Sequence, residues 1–175
     1  MKITIADYDP EWARTFERER EAILRVCGLE PFVQIEHIGS TSVPELAAKP
    51  IIDMMAGLRS LDDAPPLIAP LASVGYEYEP RFEHPIPEMD DPGMPFRRYF
   101  RKDVSGARAF HLHVVEVTSD FWRSHLMFRD WLRSHPADAE AYATLKRRLA
   151  AEFNANPSPD REVNKDYTGL GPVAE

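Results

Sequence analysis

Apolar residues recur with helical spacing near the start of the chain, and charged residues occupy the opposite face, which predicts an amphipathic helix. The apolar stripe contains Trp12, Phe16, Ile23 and Leu24. Asp9-Pro10-Glu11 is typical of a helix start, because Asp caps free amides, Pro suits the first turn and Glu interacts favourably with the helix dipole. We expect this helix to end near Gly28, since glycine readily adopts the conformation that closes a helix.

Five apolar runs rich in β-branched and aromatic residues predict five strands. They cover Val33 to Ile38, Ile51 to Gly57, Tyr76 to Phe82, Phe96 to Lys102 and Phe110 to Val117. Ser105-Gly106 separates the last two runs and predicts a hairpin. Between the other runs, the pattern predicts a short helix or turn over Thr41 to Ala48 and a helix over Leu61 to Val74.

Two amphipathic helices are predicted after the last strand, one capped by Ser119 and one following Pro136. Glu83 to Pro95 is rich in Pro, Asp and Glu and is predicted to be a mobile surface loop. We expect one domain over residues 1–155 and a loosely ordered tail over residues 156–175. The order of elements is typical of an α/β or α+β domain, in which helices cover a mixed sheet of about five strands.

The chain has 175 residues and a formal net charge of −8, which disfavours binding to nucleic acid or to an anionic membrane. Cys27 is the only cysteine, so an internal disulfide is excluded and a reduced thiol is expected. No apolar stretch reaches the ~20 residues that cross a bilayer, and the first residues lack the pattern of a secretory signal. We therefore expect a soluble, cytoplasmic protein.

The most informative residues form a Gly-Ser corner directly after the first predicted strand. Gly39 allows the backbone to approach a ligand closely, and Ser40, Thr41 and Ser42 add hydroxyls and amides that can hold a phosphate. An ordinary turn that caps the following helix is an equally good interpretation. Lys49 precedes the second strand and is either a cation that neutralises a bound phosphate or a surface lysine.

Asp53 lies within the apolar run that forms the second predicted strand. A carboxylate in a buried strand costs free energy unless it binds something, so the pattern favours a metal ligand or a general base at the mouth of the sheet. The alternative is a carboxylate near a strand end that caps a neighbouring amide.

Two histidines, His111 and His113, alternate along the fifth strand and share one face. Such a pair can bind a metal, or one imidazole can act as a base, while an exposed hairpin face is the structural alternative. His37 either reaches the same pocket or packs in the core.

The fourth strand carries a basic cluster in an otherwise acidic chain, formed by Arg97, Arg98, Arg101 and Lys102. Alternation puts Arg98 on one face and its two arginine neighbours on the other. Arg98 is the candidate for phosphate recognition, because a guanidinium fork suits phosphate, and a solvated edge strand is the alternative.

Several separate motifs match one known family in the same order along the chain. They are His37-Ile38-Gly39-Ser40-Thr41-Ser42-Val43-Pro44, Leu46-Ala47-Ala48-Lys49-Pro50-Ile51-Ile52-Asp53, His111-Leu112-His113-Val114-Val115 and Phe128-Arg129-Asp130-Trp131-Leu132-Arg133. On these residues the chain resembles the GrpB-like family, also called uncharacterised protein family 0157. The family is placed in the nucleotidyltransferase-fold superfamily, so the resemblance implies a nucleotidyltransferase-like mixed sheet. Some members are fused to dephospho-CoA kinase.

The resemblance also implies phosphate binding at Gly39-Ser40 and metal binding at Asp53. The superfamily pattern continues from Gly-Ser to Asp-x-Asp or Asp-x-Glu, and here Met55 stands in place of the second carboxylate. A third acidic residue on a later strand usually completes such a site, and the corresponding position falls near His111 and His113. The cation expected at an intact site is Mg²⁺ or Mn²⁺, which a thioether cannot hold in place of a carboxylate.

Three functions remain open from the sequence. The first is an enzyme that binds a nucleotide or another phosphorylated small molecule and transfers a nucleotidyl or phosphoryl group, with Asp53 as the catalytic residue. The second is a binding or accessory module that kept the fold and lost the Asp-x-Asp chemistry. The third is a hydrolase or transferase that uses His111 and His113 on a transition metal.

Overall fold

The computed structural model describes residues 2–83 and 97–155. Four α-helices span Glu11–Cys27 (α1), Ile68–Ser73 (α2), Asp120–Ser134 (α3) and Pro136–Ala155 (α4). Five strands span Gln34–Ile38 (β1), Ile52–Leu58 (β2), Glu77–Tyr78 (β3), Arg98–Val104 (β4) and Ala107–Glu116 (β5). No helix in these two stretches combines the length and the apolar character needed to cross a bilayer.

The strands form one mixed sheet in the order β1-β2-β5-β4-β3. β2 and β5 run parallel at its centre, and the other neighbouring pairs are antiparallel. The mixed sheet of five strands with two C-terminal helices confirms the predicted fold class. The β4–β5 hairpin is also confirmed, and its turn places Ser105 and Gly106 at φ angles of 53° and 78°, the left-handed conformation that two-residue hairpins favour.

The two faces of the sheet bury different helices. On one face, Met54 and Leu112 at the centre of the sheet pack in a cluster with Trp12, Phe16 and Ile23 of α1. On the opposite face, Met55 and Val115 pack against Trp122 of α3. A third cluster joins α3 and α4 to the segment after the Gly-Ser corner, through Val43, Leu46, Ala47, Leu132 and Ala143. The protein is therefore a sheet between helices, and α4 is held close to that corner.

Two predicted elements are wrong in extent because prolines interrupt them. The helix predicted over Leu61 to Val74 is divided into 3-10 turns at Leu61–Asp63 and Pro65–Leu67 and the short α2. Pro65 and Pro66 supply no amide hydrogen and open a new turn, whereas Pro70 lies in the first turn of α2, where a helix tolerates proline. The strand predicted over Tyr76 to Phe82 shortens to β3 for the same reason, since Pro80–Phe82 forms a 3-10 turn. The predicted loop over Glu83 to Pro95 and the predicted tail lie almost entirely outside the described residues.

His37 packs in the core between β1 and α1, which settles one of the alternatives left open by the sequence. Its ring stacks on Phe16 with a centroid separation of 4.8 Å, and its Nε2 lies 3.0 Å from the Thr41 hydroxyl. Burial lowers the pKa of His37 to about 4, an effect that the charge of Asp53 opposes and the charges of Arg133 and Arg129 reinforce. The imidazole is therefore neutral at pH 7.

We expect the folded protein to lose stability as the pH falls from about 6.5 towards 4. In that range the unfolded chain binds a proton at His37 that the folded chain excludes, and the cost at the lower end is about 3 kcal/mol. Urea denaturation across this range measures the free energy of unfolding of wild type and of His37→Gln. The difference between the two proteins isolates His37, because both carry the same carboxylates. An NMR titration that placed the pKa of His37 near 6.5 in the folded state would contradict this expectation.

Gly57 in β2 leaves room for α3, and Gly57→Ala is expected to destabilise the fold by about 1–3 kcal/mol, the usual cost of overpacking. An added Cβ would lie 2.8 Å from Cζ3 of the Trp122 ring and would also collide with Val117. Chemical denaturation measures the loss. The penalty should shrink in a Val117→Ala/Trp122→Leu background, which removes both collisions, and an equal penalty in both backgrounds would disprove the steric explanation.

Candidate functional site

Gly39 and Asp53 lie against each other where β1 ends and β2 begins. The strand register pairs Asp53 with Ile38, so the next residue of the chain passes directly over the carboxylate. A Cβ placed on Gly39 would lie 2.9 Å from Cβ and 3.0 Å from Cγ of Asp53, and Gly39 has a φ of 68°. Only glycine combines that conformation with that approach. The two strongest sequence features therefore share one site.

Residues Ser40–Ser42 form a 3-10 turn, and two of its three hydroxyls serve the turn itself. Ser42 Oγ donates to the Gly39 carbonyl at 2.6 Å, and Thr41 Oγ1 donates to the Ile51 carbonyl at 3.2 Å. Both side chains are buried, so they tie the corner to β1 and β2. The hydroxyl of Ser40, which is half-buried, is hydrogen-bonded to Tyr142 of α4. Among the three, Ser40 is best placed to meet a ligand.

Asp53 is the second residue of β2 and stands at the strand end, where 31% of its side chain is exposed. Its Oδ1 lies 3.0 Å from Nδ1 of His111, the residue that faces it in the parallel register. Because a carboxylate only accepts, Nδ1 of His111 donates this hydrogen bond. Nε2 of the same ring is buried and has no hydrogen-bond partner within residues 2–83 and 97–155.

His113 shares the face of His111, as predicted, but its hydrogen bond goes to an arginine. Arg97 Nη1 lies 3.0 Å from Nδ1 of His113 and donates to it, while Arg97 Nε donates to the Phe82 carbonyl at 2.9 Å. Burial and the charge of Arg97 hold the pKa of His113 well below its usual range. His113 is neutral, and its Nδ1 lone pair is already used by the guanidinium.

The structure does not bring Arg98 to this site. Its backbone faces Val114, so its side chain lies on the opposite face of the sheet from His111 and His113, where it pairs with Glu83 at 3.3 Å. Arg97, its neighbour in the predicted basic cluster, is the arginine that contacts the histidine face. Strand alternation placed the two arginines on opposite faces correctly, but could not say which face carries Asp53.

Two residues of α4, Tyr142 and Lys146, lie at the corner, although the sequence analysis did not single them out as site residues. Lys146 Nζ donates to the Ala47 carbonyl at 2.7 Å and lies 4.6 Å from the centre of the Tyr142 ring. Burial lowers the pKa of Lys146 to about 8, which the charge of Asp53 opposes and the charge of Lys49 reinforces. Lys49, predicted to neutralise a phosphate, is half-buried and close enough for its charge to act on Lys146. The signal available in the sequence was the i,i+4 spacing of Tyr142 and Lys146, which puts both on one face of a helix.

The side chains at the corner do not match the set of carboxylates that the family resemblance implies for a Mg²⁺ or Mn²⁺ site. Met55 occupies the position of the second carboxylate and is fully buried. Nδ1 of His113 accepts from a guanidinium, which also repels a nearby cation. No group of three histidine, cysteine or acidic side chains is placed to hold a metal ion within the described part of the chain. Mg²⁺ requires several oxygen ligands, and Asp53 supplies the one carboxylate identified here.

The matches to known proteins extend over most of the chain. The model of the GrpB protein family matches residues 2–168. A UPF0157 protein of Bacillus subtilis, YqkA, is 40% identical over 151 residues, which are 86% of this chain and 40% of the relative, so the chain spans less than half the length of that relative. A dephospho-CoA kinase of Mycobacterium tuberculosis is 30% identical over 155 residues, which are 79% of this chain and 37% of the kinase.

A solved structure agrees with these sequence matches. The crystal structure of the conserved protein GrpB from Enterococcus faecalis superposes with a TM-score of 0.75 at 34% identity and covers 94% of this chain and 92% of its own. The family match spans nearly the whole chain, and the solved relative shares its architecture. The chain therefore belongs to the GrpB protein family.

Proposed function

We propose that the corner formed by Gly39, Ser40, Tyr142 and Lys146 binds the phosphate of a nucleotide or of another phosphorylated small molecule, without a divalent cation. The observation that carries the proposal is Lys146. It is an amine buried enough to have a depressed pKa, and its hydrogen bond goes to a carbonyl and not to a carboxylate. A buried cation held in this way costs free energy, which an anionic ligand would offset.

The charges around the corner favour the same ligand. Lys49 is close enough to Lys146 for the two charges to interact, and Arg97 supplies a further cation beside His113. Asp53 is the carboxylate that opposes these positive charges, and its Oδ1 accepts a hydrogen bond from Nδ1 of His111. A local excess of cations in a chain of net charge −8 concentrates positive potential at this end of the sheet.

The role of Asp53 in this proposal is to orient neighbours. It orients the His111 ring through one carboxylate oxygen, and it lies under Gly39, where it sets the position of the corner. Nucleotidyl transfer by the superfamily mechanism needs carboxylates that align metal ions on a triphosphate. With Met55 in the second position, that reaction has no support in the donor set, so the proposal is ligand binding.

The relative named as a dephospho-CoA kinase suggests where such a binding domain occurs, because the matching segment is part of a longer protein. The segment that matches this chain is 37% of that protein, which leaves most of the kinase outside the similarity. We therefore infer that a domain of this kind serves as a binding module beside a separate catalytic unit in such longer chains.

Asp53→Asn separates binding without a metal from binding through one. Under the proposal, ATP, ADP or pyrophosphate raises the melting temperature of wild type with or without Mg²⁺ or Mn²⁺. The Asn variant then binds with equal or greater affinity, because it loses a charge that repels phosphate. Thermal shift and isothermal titration measure both effects, with the exposed Asp63→Asn as the control.

Two outcomes contradict this proposal. If none of these anions stabilises wild type, the corner is not a phosphate site. If binding requires Mg²⁺ or Mn²⁺ and disappears in Asp53→Asn, the site is a metal site and Asp53 is its ligand.

Lys146→Met is expected to weaken binding of the same anions roughly tenfold or more, the usual effect of losing a charge-assisted hydrogen bond. Lys146→Arg should retain part of the affinity, and Arg148→Met on the exposed side of the same helix should leave it unchanged. Affinity should also fall as the pH rises through about 8, where free Lys146 loses its proton. Calorimetric titrations of the four proteins test this, and equal affinities for Lys146→Met and Arg148→Met would disprove the role of Lys146.

A further inference from the structure

An open groove lies along β1, the strand at one edge of the sheet, between α1 and α3. It has a volume of about 820 Å³, which is within the range of small-ligand sites. The floor is formed by β1 and by Phe16 of α1. Five arginines line its two walls: Arg14, Arg18 and Arg20 from α1, and Arg129 and Arg133 from α3. Two lining carboxylates, Glu17 and Glu36, oppose them, so this groove is cationic in a chain of net charge −8.

The arginines of α3 are fixed by backbone carbonyls of the sheet edge. Arg129 Nη1 donates to the His37 carbonyl at 3.1 Å and also pairs with Glu36. Arg133 donates to the Ser42 carbonyl from Nε at 3.1 Å and from Nη2 at 2.8 Å. Asp130 pairs with Arg129 at 2.8 Å and with Arg133 at 3.6 Å, so these guanidiniums are positioned by carbonyls and partly neutralised by carboxylates. Burial and the neighbouring Arg129 lower the pKa of Arg133, and the charges of Asp130 and Glu36 oppose that shift.

The arginines of α1 line the other wall, and each of them is paired with a carboxylate of the same helix. Arg14 and Arg18 share one carboxylate, Glu11, at 2.5 Å and 3.7 Å. Their side chains are 75% and 63% exposed, so their positive charges are available to a ligand. Arg14 and Arg18 are four residues apart, as are Arg129 and Arg133, so each pair forms a row about 6 Å long on its own helix.

We propose that this groove binds an anion that carries two or more linked phosphate groups, either free inorganic polyphosphate or the phosphate chain of a nucleotide. Guanidinium forks bind phosphate oxygens through paired hydrogen bonds. Two rows of such forks on opposite walls suit a short chain of closely spaced charges better than a single anion. The groove adjoins the corner, since Arg133 also holds the Ser42 carbonyl, but Gly39, Ser40, Tyr142 and Lys146 do not line it. The proposal therefore does not depend on the function proposed for that corner.

The experiment titrates tripolyphosphate, ATP and an oligoglutamate of equal charge into the protein at about 0.1 M salt, where exposed charges are screened beyond ~10 Å. It uses the Lys146→Met background, so that binding at the corner is suppressed. Arg14→Glu/Arg18→Glu should weaken tripolyphosphate more than tenfold, and the neutral pair Arg14→Gln/Arg18→Gln should give an intermediate loss. The matched control Arg25→Glu/Arg148→Glu, with the same change of net charge, should stay within about twofold.

The results decide the proposal in either direction. Equal affinity for tripolyphosphate and ATP assigns the site to a phosphate chain alone, while tighter binding of ATP assigns it to a nucleotide, and both support the proposal. Equal weakening by the test pair and the control pair overturns it, because only net charge would then matter. Oligoglutamate that binds as tightly as tripolyphosphate also overturns it, and so does an absence of saturable binding. Melting temperatures of all variants confirm that each one is folded.

Discussion

The close approach of Gly39 to Asp53 is the constraint on which the site depends. A Cβ at position 39 would overlap the aspartate, so the chain can cross the carboxylate only through glycine in a left-handed conformation. This crossing sets the direction of the turn that follows, which Thr41 and Ser42 then tie to the neighbouring backbone. The position of Ser40, and through it the contact with Tyr142 of α4, follows from the same approach. A single steric condition therefore aligns the end of β1, the start of β2 and the last helix.

The two faces of the sheet differ in composition: one is apolar at its centre, and the other also carries the polar residues of the candidate site. The face covered by α1 and α2 is apolar at its centre, and the buried imidazole of His37 on this face is stacked and neutral. The opposite face combines the apolar contact with α3 and a polar end, where Asp53 and His111 meet. Because low-dielectric packing lies directly beside these groups, their hydrogen bonds are fixed and their charges are weakly screened. Met55 belongs to that packing, so a carboxylate at this position would be buried among apolar side chains.

The sequence predicted the long elements well and the proline-containing ones poorly. Periodicity identified α1, the two C-terminal helices and the central strands, because each buries one face for much of its length. Between β2 and β4, prolines at positions 65, 66, 70 and 80 remove amide hydrogens, and the chain follows local turns that an apolar pattern does not reveal. For the site, Gly39, Ser40 and Asp53 were found because their residue types are unusual in a strand-turn-strand segment. Arg97, Tyr142 and Lys146 were not, since an arginine in a strand and a tyrosine or lysine in a helix are ordinary.

The sequence by itself determined the elements, the mixed α/β class and the family, because these depend on local patterns and on motifs that can be read in order. It also determined that Asp53 has no carboxylate two residues later. Only the tertiary structure decided which side chains meet. The parallel pairing of β2 with β5 brings His111 to Asp53. The register of β4 directs Arg98 to the opposite face of the sheet, and Arg97 contacts the histidine face. The packing of α4 brings Lys146 to the corner. These contacts join residues far apart in the chain, so no local pattern can specify them, and they arise only when the helices close on the sheet.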